Sequence, residues 1–114
     1  HLGAFESELF LKAALDHENL YLDTSYAFIP NPTNKIDAAT SLLIAAQDKI
    51  VFGSDFPGIC HPYESAINTT TELNLGETYL EKIFYTNAKK LLYQLTTNNL
   101  SDSIPLNTSC SICE

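Results

Sequence analysis

The stretch Lys49-Ile-Val-Phe-Gly-Ser-Asp-Phe-Pro57 constrains the fold more than any other. Ile50, Val51 and Phe52 form a short β-branched and aromatic run, as in a strand covered on both faces of a parallel sheet. Gly53 ends the run and Pro57 prevents its extension. Asp55 therefore falls just past the carboxyl end of a parallel strand, where loops converge and α/β proteins place their sites. This makes it the first candidate for chemistry, with capping of the following turn as the structural alternative.

The neighbouring segments supply the rest of an α/β pattern. In Phe5 to Asp16 the apolar residues Phe5, Leu9, Phe10, Ala13 and Ala14 recur at helical spacing, opposite Glu6, Glu8 and Lys12. Leu20 to Ser25 reads as a second strand of the same design, ending in polar groups. After a proline-containing loop from Ala27 to Thr33, a helix is expected from Asn34, as its cap, to about Asp48. Asp37 suits its first turn, and Ile36, Ala39, Leu42, Leu43 and Ala46 mark its buried side. The order helix, strand, helix, strand implies parallel strands joined by helical crossovers.

Downstream, Pro62 is placed to begin a helix over Tyr63 to Leu73, which Thr69, Thr70 and Thr71 weaken. The strongest periodicity runs from Glu77 to Leu95, through Leu80, Ile83, Phe84, Ala88, Leu91, Leu92 and Leu95. Asn87 lies on that apolar stripe. A buried amide needs partners, so it is expected to bond to backbone in a neighbouring loop, a structural role. Residues 96–114 are polar and are expected to form a disordered tail. The C-x-x-C spacing of Cys110 and Cys113 fits half a zinc site or a redox pair, a weak signal without a second pair.

Composition narrows the function classes. Six basic against fourteen acidic side chains give a formal charge of −8, which disfavours nucleic acid and anionic membrane surfaces as partners. No apolar run approaches the roughly 20 residues that span a bilayer. Three cysteines without framework spacing suit a reducing compartment, so a cytoplasmic location is expected.

Four segments in succession, His1-Leu-Gly, Leu20-Tyr-Leu-Asp-Thr-Ser25, Ile50-Val-Phe-Gly-Ser-Asp-Phe-Pro57 and Ile83-Phe-Tyr-Thr-Asn-Ala-Lys-Lys-Leu-Leu92, resemble a known family. They are similar to the C-terminal part of the amidohydrolase-related metal-dependent hydrolases, in the branch that includes aminocarboxymuconate-semialdehyde decarboxylase. The likeness covers residues 1–95. It implies an α/β fold that is the C-terminal fragment of a (β/α)8 TIM barrel, with the last parallel strands and their helices. It also implies that His1 and Asp55 are catalytic and that Asp55 ligates a divalent metal, commonly zinc. In the family the aspartate can take a proton from metal-bound water while the histidine polarises or protonates the substrate.

The implied reaction is hydrolysis of a C–N or C–O bond of a small organic substrate. Non-oxidative decarboxylation is the alternative within the family, and a non-enzymatic remnant or interaction module is the alternative outside it. The family's His-x-His pair and a further histidine have no counterpart here, and His17 and His61 do not match those positions. His61 nonetheless follows the Asp55 strand in a loop that could line a pocket. A full barrel takes roughly 250 residues, so the missing N-terminal part of the barrel is an expected partner and the chain alone is expected to be inactive and poorly soluble. Family members often form homodimers.

Overall fold

A computed structural model of the protein describes residues 1–30, 36 and 38–101. Asn34, Asp37, Cys110 and Cys113, and with them the expected helix cap, first-turn acid and C-x-x-C pair, lie outside the described residues.

The chain opens with a 3-10 turn, Ala4–Glu6, which leads directly into helix α1, Ser7–Asp16. Together they match the expected first helix, but a different face is buried. Ser7, Leu11 and Ala14 point inward, whereas Phe5 and Leu9 are 78% and 62% exposed. With apolar residues on more than one side, this helix has two candidate stripes, and the i, i+4, i+7 set Ser7, Leu11 and Ala14 is the one that meets the sheet and the next helix. Phe10 instead lies against Gly3, whose φ of 78° is open to glycine; a Cβ there would come within 2.5 Å of the Phe10 ring.

Strand β1, Leu22–Asp23, pairs in parallel with β2, Ile50–Val51, in the register Leu22 to Ile50 and Asp23 to Val51. The regular ladder is thus shorter than the apolar runs, because the Thr24 side chain takes over its continuation. Thr24 N donates to Val51 O at 3.0 Å, and the Thr24 hydroxyl both donates to Gly53 O at 3.2 Å and accepts from Gly53 N at 3.1 Å. Backbone groups that would otherwise go unpaired at the strand ends are satisfied in this way.

Between the strands runs α2, Thr40–Ala45, shorter than the helix expected from Asn34 to Asp48, and then a 3-10 turn, Gln47–Lys49. Leu43 and Ala46 are buried as expected, and Ala39 is exposed. The Lys49 ammonium donates to the carbonyls of His17 and Glu18 and lies 4.9 Å from the centre of the Tyr21 ring. It thereby ties the turn after α1 to the entry of β2.

After β2 the chain forms α3, Tyr63–Thr71, with Pro62 at its cap. Thr69, Thr70 and Thr71 are accommodated because each hydroxyl donates to the carbonyl four residues earlier. The last helical segment contains α4, Glu77–Glu81, a π-helical turn, Lys82–Thr86, and α5, Asn87–Ser101. It thus continues past Leu95, and residues 102–114 lie outside the described residues. Tyr79, Ile83 and Asn87 form its buried line, while Leu92 and Leu95 are exposed.

The π turn closes one side of the sheet. Val51 faces β1, so the backbone groups of Ile50 and Phe52 point to the other edge of β2. There Ile83 O accepts from Phe52 N at 2.9 Å, and the Asn87 amide donates to Ile50 O and Gln47 O, both at 2.7 Å. Asn87 is therefore structural, as its place on the stripe implies. The core consists chiefly of Leu2, Leu11, Ala14, Leu22, Leu43, Ala46, Ile50, Tyr79 and Ile83. The architecture is a two-stranded parallel sheet with helices packed around it, compatible with part of a barrel; a closed barrel is not formed by these residues.

Candidate active site

The carboxyl ends of the strands bring together residues from three separate parts of the chain. Leu2 N donates to Asp23 O at 2.9 Å, which lays the opening residues along the free edge of β1. The main-chain nitrogen of His1 donates to Asp23 Oδ1 at 3.0 Å, and the Ser25 amide donates to the same oxygen at 2.8 Å. Asp23 is thus a bracket for the opening segment. Burial alone would raise its pKa, but the hydrogen bonds from the Ser25 hydroxyl, the His1 nitrogen and the Ser25 amide outweigh it and hold the carboxyl below its ordinary range.

Asp55 stands at the end of the neighbouring strand with φ at 61°, a left-handed conformation that Asp tolerates better than most residues. The turn it opens is closed by backbone and serine: Gly58 N donates to Asp55 O at 2.7 Å, and Phe56 N to Ser54 Oγ at 3.2 Å. Its carboxylate meets an imidazole instead, with Oδ2 3.2 Å from His1 Nε2. Both side chains remain partly open to solvent, His1 at 48% and Asp55 at 35%. Gly53 has no room for a side chain, because a Cβ there would run into Ser25 Oγ and approach Asp23 Oδ1 at 3.3 Å.

Two further rings complete the rim. The Tyr26 and His1 rings meet edge-on with centroids 6.3 Å apart, and the His61 ring lies 6.0 Å from that of Tyr26. The two candidates expected from the sequence, His1 and Asp55, are therefore side by side, and Asp23, Tyr26 and His61 join them. The signal for Asp23 was present, since Leu20 to Ser25 repeats the design of the Asp55 strand. Nothing in spacing alone joins Tyr26 to either histidine.

The chain matches a family model described as Amidohydrolase over residues 1–93, a span that contains every residue of this rim. It belongs to the amidohydrolase family. No match was found among curated proteins or among solved structures.

His1 with Asp55 has the chemistry to exchange a proton across a short contact. Among the described residues no group of three or more His, Cys, Asp or Glu side chains is placed to hold an ion. A catalytic zinc takes three protein ligands and a water, so the residues present do not by themselves make such a centre. None of the described helices is long and apolar enough to cross a membrane.

Proposed function

We propose that this chain is the C-terminal part of a metal-dependent amidohydrolase barrel of the aminocarboxymuconate-semialdehyde decarboxylase-like branch, acting on a C–N or C–O bond of a small organic substrate. The observation that carries the reading is the 3.2 Å contact between His1 Nε2 and Asp55 Oδ2, made by residues far apart in sequence beside the carboxyl ends of the two parallel strands. Asp55 is the acceptor for the proton of the attacking water, and His1 delivers a proton to the substrate or polarises it. Asp55 would also be one ligand of a divalent metal, expected to be zinc, whose remaining ligands belong to the N-terminal part of the barrel. That ion, when bound, supplies Lewis acidity. The proposed setting is cytoplasmic, and the parent enzyme a homodimer.

The test uses this chain alone and joined to its upstream sequence, against a panel of carboxamides, lactones and aryl carboxylic acids. The chain alone should be inactive, and the extended protein should hydrolyse a member of the panel. His1→Ala and Asp55→Asn should each lower kcat by about 100-fold to 10,000-fold, the usual worth of a positioned acid or base. A variant within tenfold of wild type would overturn the assignment of that residue. Release of carbon dioxide in place of an amine or alcohol would move the chain to the decarboxylase branch. Stoichiometric zinc that survives Asp55→Ala but is lost in Cys110→Ser would place the metal on the C-x-x-C pair instead.

A further inference from the structure

The His1 imidazole is half exposed, and its Nε2 meets Asp55 Oδ2. A ring held at one atom can still pivot about its side-chain torsions, so a second surface is needed to fix the direction of Nε2. Tyr26 supplies one. Its ring meets His1 at 63° between planes, an edge-on packing, and meets His61 at 35°, with both centroid distances in the range of paired aromatic rings. The ring itself stands on a fixed base. Thr24, before it, is bonded through its hydroxyl to Gly53, and Ala27, after it, is 2% exposed and donates to Thr24 O at 2.9 Å. His61 arrives from the other strand's loop, immediately before the Pro62 cap of α3.

We propose that Tyr26 is a positioning residue of the site, its ring wedged against the His1 and His61 imidazoles so that both are held at the carboxyl rim beside Asp55. His61 is thereby a second imidazole of the site, although it lies outside the pair that the sequence singles out. Tyr26 acts through the two rings. The inference rests on the functional reading above only for naming the rim a site, and its test reads the order of side chains. Loss of hydrolytic activity and loss of ring order are separate observations, so either proposal can fail alone.

The experiment is carbon-13 relaxation of the labelled imidazoles in the full chain, with exposed His17 as the internal reference for an unconstrained ring. In the wild type, His1 and His61 should give order parameters near those of rigid backbone, about 0.85, and His17 a value below about 0.6. Tyr26→Leu should drop both His1 and His61 towards the His17 value, while Tyr26→Phe, which keeps the ring, should retain the order. The proposal is overturned if both imidazoles are already as loose as His17 in the wild type, or if Tyr26→Leu leaves them ordered. Should Tyr26→Leu fail to fold, shown by lost exchange protection of the Leu2 and Thr24 amides, wild type and Tyr26→Phe decide. Two ordered rings in both proteins support the wedge, and a disordered pair in either refutes it.

Discussion

Replacing Asn87 by Ala removes a side chain that is 2% exposed and that donates to two carbonyls at 2.7 Å, one at Ile50 in β2 and one at Gln47 before it. Each such bond contributes about 1 kcal/mol net, and a buried carbonyl left without its donor costs about 1–3 kcal/mol. Allowing for water at the more open Gln47 carbonyl, the loss is about 3 kcal/mol, a large part of the ~5–15 kcal/mol that holds a small domain together. Asn87→Asp should be worse, because it sets a carboxylate oxygen against both carbonyls. The assay is urea unfolding followed by circular dichroism. At a slope of about 1.5 kcal/mol per molar, the Asn87→Ala midpoint should fall by about 2 M. The effect should also be local: Phe52 N, bonded to Ile83 O beside this anchor, should exchange its proton faster in the variant at urea concentrations where both proteins are folded. A loss below about 0.5 kcal/mol, with Phe52 protection unchanged, would refute the argument that Asn87 fastens the helix to the strand.

Three other outcomes follow from the same coordinates. The folded-state pKa of Asp23 is depressed, so its stabilising contribution is complete above the ordinary value of 3.8 and is lost as pH falls through the lower folded value; Asp23→Asn should flatten that part of the acid unfolding curve. Burial pushes the Tyr79 hydroxyl up to about 12, so the chain should lose stability as pH rises from 10 towards 12, and the pH dependence of the urea midpoint should shrink in Tyr79→Phe. The outward Phe5 in the opening 3-10 turn and Leu9 on α1, and Leu92, Tyr93 and Leu95 on α5, should make the isolated chain self-associate; sedimentation velocity should show Leu9→Glu and Leu92→Glu shifting it towards monomer, and a wild-type monomer at roughly 100 μM would contradict this.

Helix positions were legible because period and punctuation act locally: Pro62 begins α3, and the run from Glu77 is helical throughout. The buried faces were less so. Residues 5–16 carry apolar groups on more than one side, and the contact that selects Leu11 and Ala14 comes from α2 and β1, distant in sequence. The strand ladder came out shorter than its apolar runs: past Asp23 the pairing continues through one backbone bond, Thr24 N to Val51 O, and then through the Thr24 hydroxyl on Gly53. Asn87 was readable as a structural amide since a polar group on an apolar stripe demands partners. At the rim, Asp55 was visible from its place after a strand, whereas its meeting with His1 was anticipated through family resemblance. Tyr26 and His61 were not joined to them, since only the turn after β1 and the loop before α3 bring those rings near.

The π turn at Lys82–Thr86 has a consequence for what can dock against the sheet. By directing the Ile83 carbonyl at Phe52, with Asn87 beside it on Ile50, it occupies the positions a stranger's backbone would use to zip onto β2. On this flank a newcomer must first prise the helix away.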